Sequence, residues 1–284
     1  SDPRWNRLVY GESGRSLKAF DGAGTTLGAL SAPRGMAVDE RNRIYVADAG
    51  NNRIVALDAS TEFGEITLVA AFEIRGLSDP YDVAYSDGGT PFRTGDDVLY
   101  VADTGKNRVA AYALGAASAT LTAAIGELGS GPGRFAGPMA ITVGRSGGAS
   151  TRDVYVADAH TQRIIRLRHE ANRLSWAAET HVDADVVTSL DTDQWGNLYA
   201  AAPRAGVVRK YNASLAEVAE LREGLTSPRG FHVPFVNVND HRFGRTERVG
   251  RPNGLAVESW GDASGMKLWN LGLEVSGLAV SQTS

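Results

Sequence analysis

The most constraining feature of this sequence is an internal repeat of short, strand-like segments. Three five-residue segments nearly superimpose, at residues 44–48, 99–103 and 154–158. Each alternates around β-forming residues, as a strand does, and ends in aspartate. Five residues after each aspartate an arginine opens another apolar run: Arg53, Arg108 and Arg163. The pattern predicts three hairpins in which the aspartate leaving one strand pairs with the arginine entering the next.

A second pattern comes before each hairpin and divides the chain into units. It consists of a proline, a small residue in most copies and then a short apolar run. Its copies begin at Pro33, Pro80, Pro138 and Pro228, with a degenerate copy at Asp185 and a last candidate at Val275. Successive copies lie 42 to 58 residues apart once the circle is closed through the two termini. Because a propeller blade of four antiparallel strands needs roughly 40–50 residues, the spacing predicts six blades in a single domain spanning residues 1–284.

The two termini are predicted to share the last blade. Residues 275–280 would supply its first strand and residues 8–30 its other strands, which closes the ring and protects the edge strands. A loop at about residues 237–251 would join the first and second strands of the fifth blade. Pro252 could instead start a blade, but it lies only 24 residues after Pro228, too close for four strands. Three weaker copies of the hairpin strand lack the aspartate–arginine pair; they begin at Leu8, Leu198 and Leu255.

The best copy of both patterns resembles a known repeat. Residues 33–58 combine Pro-x-Gly-Met-Ala-Val-Asp with Ile-Tyr-Val-Ala-Asp-x-Gly-Asn-Asn-Arg-Ile. This combination resembles the NHL repeat, and residues 80–112 and 138–167 resemble it well. The resemblance implies an all-β, six-bladed β-propeller of the NHL type. Its members include protein-binding, RNA-binding and enzymatic propellers, so the resemblance implies no single function.

The resemblance also suggests where a ligand would bind. In such a propeller the first strand of each blade lines the central channel, and one face carries the loops that enter these strands. The candidate ligand-binding residues at this channel mouth are Arg34, Tyr81, Met139, Asp185, Arg229 and His232. Three of them, Arg34, Tyr81 and Arg229, have no obvious partner nearby in the sequence. The arginines of the hairpins are instead expected to be occupied by their aspartates.

Enzymatic interpretations find little support in the sequence. The chain has no cysteine, which excludes thiol chemistry and zinc–thiolate sites. Propellers similar to peptidylglycine amidating lyase hold zinc on histidines at the starts of channel strands, but here only His232 lies on a predicted channel strand. Calcium needs about six to eight converging oxygens, and the channel offers Asp82 and Asp185, with Asn253 if its loop folds inward. No catalytic residue, metal ligand or cofactor is therefore predicted; the alternative is a calcium ion in the channel of a lactonase-like hydrolase.

Charge and composition indicate which classes of partner are favoured. The net charge of −4 and the pI of about 5.8 do not favour nucleic acid or an anionic membrane. Single-stranded RNA binding is thus only an alternative, and no membrane span is predicted. The leading hypothesis is a noncatalytic propeller that recognises a protein, peptide or glycan, as a monomer or as one domain of a longer protein. The lack of cysteine and of a leader favours a secreted or extracytoplasmic domain.

Overall fold

Almost all regular structure in the computed structural model of this protein is antiparallel β-sheet, in agreement with the predicted all-β class. The structure describes residues 1–10, 18–62, 65–89, 95–148, 151–182, 185–193, 195–221, 230–232, 254–259 and 266–270. Within these ranges the helices are three single 3-10 turns, Pro3–Trp5, Ala49–Asn51 and Thr104–Lys106. No helix among the described residues is long and apolar enough to cross a membrane.

The strands of the described residues group into separate sheets. In chain order they are β1 (Leu8–Tyr10), β2 (Lys18–Phe20), β3 (Pro33–Val38), β4 (Arg43–Asp48), β5 (Arg53–Glu62), β6 (Glu65–Ile74), β7 (Pro80–Ser86), β8 (Val98–Asp103), β9 (Arg108–Leu114), β10 (Ala119–Ile125), β11 (Pro138–Gly148), β12 (Thr151–Asp158), β13 (Arg163–Glu170), β14 (Arg173–His181), β15 (Ser189–Thr192), β16 (Leu198–Ala202), β17 (Val207–Tyr211), β18 (Glu217–Leu221), β19 (Gly230–His232), β20 (Gly254–Ser259) and β21 (Met266–Asn270). Four sets of four consecutive strands, β3–β6, β7–β10, β11–β14 and β15–β18, each form one antiparallel sheet in chain order.

The first strands of these four sheets lie next to one another. β7 packs between β3 and β11, β15 lies on the other side of β11, and β19 lies against β15. The second strands behind them are almost wholly buried, because their alternate side chains face the neighbouring sheets on both sides. The fourth strands are the exposed outer edges. This inside-to-outside order is that of propeller blades.

Apolar side chains of neighbouring sheets fill the space between them. Tyr45 and Ile54 of one sheet pack with Leu99 and Val101 of the next, and all four are at most 1% exposed. Similar clusters lie between the second and third sheets and between the third and fourth. Burying each such side chain contributes about 1.5–3 kcal/mol. The apolar side chains of these strands therefore pack each sheet against the next.

The N-terminal segment repeats the hairpin pattern earlier than the sequence suggested. Arg7 donates its Nε–H to Asp2 at 3.0 Å, with the 3-10 turn Pro3–Trp5 between the two residues. The same order occurs between β4 and β5. Strands β1 and β2, which follow this turn, pair antiparallel in a sheet of their own. The sequence pattern treated Leu8 as the start of a second strand that an aspartate–arginine pair would follow, but the structure places β1 directly after such a pair, Asp2 with Arg7.

The C-terminal strands correct a second prediction. β19 pairs with β20 in parallel, so these two strands are not the antiparallel first and second strands of one blade, as the predicted loop at residues 237–251 required. β20 and β21 pair antiparallel instead, and Leu255 lies opposite Asn270 as Met36 lies opposite Val46. The pair thus has the register of a first and a second strand. That loop and the predicted closing strand at residues 275–280 lie outside the described residues.

The fourth sheet begins later than the sequence pattern suggested. Leu190 lies opposite Ala200 as Met36 lies opposite Val46. This register puts Asp185 in the loop that enters β15. Asp185 therefore lies two positions before Val187, which corresponds to Pro33. The sequence pattern had instead aligned Asp185 itself with Pro33.

Candidate ligand-binding face

Two kinds of loop meet on one side of the molecule. Turns between second and third strands are found at residues 49–52, 104–107, 159–162 and 203–206, and the turn at residues 3–6 has the same order of aspartate, turn and arginine as the first two of them. Beside them lie the loops that enter the first strands. We call this side the upper face. The lower face is the opposite side, which carries the turns between first and second strands.

Three turns of the upper face are held by the predicted aspartate–arginine pairs. The pairs are Arg53 with Asp48 (2.7 Å), Arg108 with Asp103 (2.7 Å) and Arg163 with Asp158 (3.1 Å). All three carboxylates are at most 1% exposed. They also accept backbone N–H groups of the entering loops at 2.6–2.9 Å, from Ser31, Ser78 and Ala136. Each carboxylate thus joins a turn to an entering loop.

The buried arginines extend these pairs outwards. Arg53 donates to the carbonyl oxygen of Leu27 at 2.5 Å and to Glu73 at 3.0 Å. Arg163 donates to Glu179 at 2.8 Å. A buried guanidinium needs such partners, since an unpaired buried charge is strongly destabilising. The interpretation of these arginines as structural is confirmed.

A residue with left-handed backbone links each turn to the next blade. Asn52, Asn107 and Asn6 all have φ of 50–55°, a conformation that asparagine tolerates well. Their Oδ1 atoms accept backbone N–H groups at 2.7, 3.1 and 2.7 Å from Asp79, Gly137 and Ala32 respectively. The contact between the N-terminal turn and the loop that enters the first complete blade is therefore the same as the contact between that blade's turn and the loop that enters the second.

In the fourth blade, the aspartate that joins the turn to the entering loop lies in the entering loop and not at the end of the second strand. Its second strand ends in Ala202, where the other three end in aspartate. Asp185, in the entering loop, accepts the backbone N–H of Arg204 at 3.3 Å and that of Ala205 at 2.8 Å. The carboxylate comes from the loop and the N–H groups from the turn, the reverse of the other blades. Sequence reasoning missed this exchange because it placed Asp185 on the channel strand.

Four partly exposed side chains occupy equivalent positions at the upper ends of the first strands: Arg34, Tyr81, Met139 and Thr188. The Arg34 guanidinium lies 4.8 Å from the centre of the Tyr81 ring and 3.0 Å from a carboxylate oxygen of Asp79. Arg34 thus has local partners that the sequence did not reveal, because they come from the next blade. We call these four side chains the mouth.

The other predicted contacts lie elsewhere. Asp185 is 1% exposed and is engaged in the loop contacts described above. Arg229 lies outside the described residues, and of His232 the structure describes only the backbone, in β19. A ligand-binding role for these three residues stays a prediction.

Asp82, in β7, links its strand to β11 below the mouth. The side chain is fully buried; its Oδ2 accepts the N–H of Ile141 at 3.1 Å and its Oδ1 that of Val83 at 2.9 Å. A Cβ at Gly35 would lie 2.7 Å from the Asp82 Cα, so the strands approach closely enough to require glycine. Among the described residues there is no cluster of three or more acidic or histidine side chains suited to a metal. A channel calcium ion stays the alternative to the prediction of no cofactor.

A buried polar pair lies nearer the lower face. The Tyr100 hydroxyl and the His169 Nδ1 are 2.7 Å apart, from neighbouring sheets, and His169 is 4% exposed. Burial and the nearby Arg152 guanidinium lower the pKa of His169. Its Nε2 has no hydrogen-bond partner among the described residues. Sequence reasoning missed this contact, since the two residues are far apart in the chain.

Comparison with known proteins supports the fold. The NHL repeat model matches residues 30–57, and no curated protein matches the chain. A catalytically inactive virginiamycin B lyase from Staphylococcus aureus superposes with a TM-score of 0.55 at 14% identity, over 80% of this chain and 67% of the lyase. A streptogramin B lyase gives 0.56 at 13% identity, over 81% of this chain and 66% of that one. A putative gluconolactonase gives 0.55 at 16% identity, over 81% and 74%.

These likenesses define the fold and leave the function open. The chain spans about two thirds of the length of the two lyases. At such low identity the shared fold says nothing of shared chemistry. The NHL repeat match at residues 30–57, the four antiparallel sheets and the propeller neighbours together show an all-β, propeller-like fold.

Proposed function

We propose that this protein is a noncatalytic binding propeller that holds a protein, peptide or glycan at the mouth. The observation that carries the proposal is the contact of Arg34 with Tyr81 and Asp79, which fixes a partly exposed cation and ring at the upper end of the first strands. Rigid scaffolds that present loops are the usual basis of recognition. Arginine and aromatic residues are also the side chains most enriched among binding hot spots.

The acids near the mouth favour binding over catalysis. Asp82 and Asp185 direct their oxygens at backbone N–H groups of the protein itself. A general base or metal ligand would have to leave these contacts, at the cost of unsatisfied buried groups. Enzymatic turnover would require acids other than these two.

The test is a binding screen with a matched pair of variants. The wild-type protein is screened on an immobilised peptide library and on a glycan array. Hits are then measured with R34A/Y81A and with the control R173A, which removes an exposed arginine near the lower face. We expect the mouth variant to lose about 30-fold or more in affinity, the size of a hot-spot loss, with unchanged melting temperature. Equal affinity of both variants, or hydrolysis or elimination of a lactone or cyclic peptide, would contradict the proposal.

We further propose that the ring has six blades. Six strands have first-strand positions: β3, β7, β11, β15, β19 and β20. The sixth blade would combine β20 and β21 as its inner half with β1 and β2 as its outer half. The support is that β1 follows an aspartate–arginine turn, as a third strand does, and that Asn6 makes the link typical of a preceding blade.

A further inference from the structure

The five turns of the upper face expose cations and contain no carboxylate. Their exposed charged or titratable side chains are Arg4, Lys106, His160 and Arg204, from different blades. Lys106 donates to the carbonyl oxygen of Gly76 at 2.6 Å, a contact that leaves its charge unbalanced. His160 uses Nδ1–H on the carbonyl oxygen of Ala136. Four of the five turns therefore present a cationic or histidine side chain, and the turn at residues 49–52 presents none.

The acids that would balance these cations are turned inwards. The anchoring carboxylates of the blades are all at most 8% exposed: Asp2, Asp48, Asp103, Asp158 and Asp185. Three of them are neutralised by buried or partly buried arginines of the hairpins. They consequently contribute little negative charge to the surface.

The entering loops do not reverse this balance. Two of their exposed acids are matched by arginines: Glu127 lies 2.8 Å from Arg134, and Asp79 lies 3.0 Å from Arg34. Asp21 uses one oxygen on the backbone N–H of Ala23. The described part of the upper face therefore has an excess of positive charge that comes from the turns.

The lower face has the opposite composition. Its described turns between first and second strands carry Asp39, Glu40, Asp87, Asp96, Asp97 and Asp193, of which Asp97 and Asp193 are buried, against Arg41. The described turns of the two faces thus differ in the sign of their charge. A long-range field of this kind orients a charged partner before contact.

We infer that the partner bound at the mouth is an acidic peptide segment, an inference that rests on the proposed binding function. A carboxylate suits the remaining donors of Arg34, whose planar group binds carboxylates in forked geometry. Met139 and Tyr81 offer apolar contact for a neighbouring side chain, as methionine and aromatic residues do at protein interfaces. Nucleic acid is less favoured, because the Arg34 guanidinium covers one face of the Tyr81 ring that a base would need for stacking.

The test uses three labelled probes of similar length. They are a peptide of alternating glutamate and leucine, the same peptide with glutamine in place of glutamate, and a single-stranded oligouridylate. Fluorescence anisotropy is measured for each at low and at physiological salt. The variant K106Q/R204Q removes two turn cations, and R173Q removes one cation away from the upper face.

The expected result is binding of the glutamate peptide that is clearly tighter than that of the glutamine peptide and weaker at higher salt. K106Q/R204Q should weaken it about three- to tenfold, as expected for two exposed ionic contacts, while R173Q leaves it unchanged. Equal binding of the glutamine peptide through Arg34 and Tyr81 would overturn the acidic partner and leave the mouth as a binding site. Preference for oligouridylate, or no binding of the glutamate peptide, would also overturn the inference.

Discussion

The buried aspartates of the upper face show how single residues hold the loops of this propeller. Asp48 accepts from Arg53 and from the N–H of Ser31, and its side chain is fully buried. Asp58 also pairs with an arginine, Arg43, but is about half exposed. Because water screens the second pair and not the first, the two should differ greatly in their contribution to stability.

The variants D48A and D58A test this difference. D48A leaves a buried guanidinium and a backbone N–H without their partner, which should lower the free energy of unfolding by about 3 kcal/mol. D58A should lower it by no more than about 1 kcal/mol. Urea unfolding measures both values. A loss of similar size in the two variants would show that the buried aspartate is not a main support of the loops.

His169 should make the stability depend on pH. Burial and Arg152 lower its pKa in the folded protein below the value of about 6.5 in the unfolded chain. The unfolded state therefore binds more protons between the two pKa values, so stability that is present above about pH 6.5 is lost as the pH falls below that value and through the folded pKa. The variant H169F removes the titration. The stability advantage of wild type over H169F should shrink between pH 7.5 and pH 5 in urea unfolding; a constant difference would contradict the assignment.

At the scale of elements, the proposed shared blade predicts a strand pair between the termini. In the complete first blade Val46 lies opposite Val55. The registers of β21 and β1 make Asn270 the counterpart of Val46 and Val9 the counterpart of Val55. Strands paired in this way bring opposite Cα atoms to about 4.5–5.5 Å, close enough for a disulfide.

The variant V9C/N270C tests the pair in a chain that has no other cysteine. Mild oxidation should give an intramolecular disulfide, seen as a faster-migrating monomer on a non-reducing gel. V9C/S259C, which places the second cysteine on β20, should remain reduced. A disulfide-linked dimer would mean that a second copy supplies β21, and a fully reduced V9C/N270C protein would argue against a shared blade.

The sequence predicted local elements better than their partners. The runs at residues 44–48, 99–103 and 154–158 form second strands, because alternation and β-branched residues are strong local signals. The contact of Arg34 with Tyr81 could not be predicted, since it joins residues of different blades. The turn at Asp2 was missed because Pro3–Trp5 replaces the small residues of the other copies.

At the scale of the whole molecule, burial falls from the inner strands outwards. The second strands are the most buried, and the fourth strands form exposed edges with side chains such as Val69 and Leu121, which are 58% and 48% exposed. Backbone amides open locally where packing is weakest. Hydrogen exchange should therefore be slowest in β4, β8 and β12 and fastest in β6, β10 and β14, as mass spectrometry of peptic peptides can measure. Uniform protection across a blade would contradict a stability that declines outwards.

The reversed contact of Asp185 has a consequence for tracing related proteins. An acid at the end of the second strand and an acid in the entering loop perform the same task, so a blade needs one or the other. Among homologues we expect the residues corresponding to Asp185 and Ala202 to change together. A sequence profile that demands the aspartate in its usual column would pass over such a blade. A profile that accepts the aspartate in either of these two columns would recover repeats that have diverged in sequence but keep the contact between the turn and the entering loop.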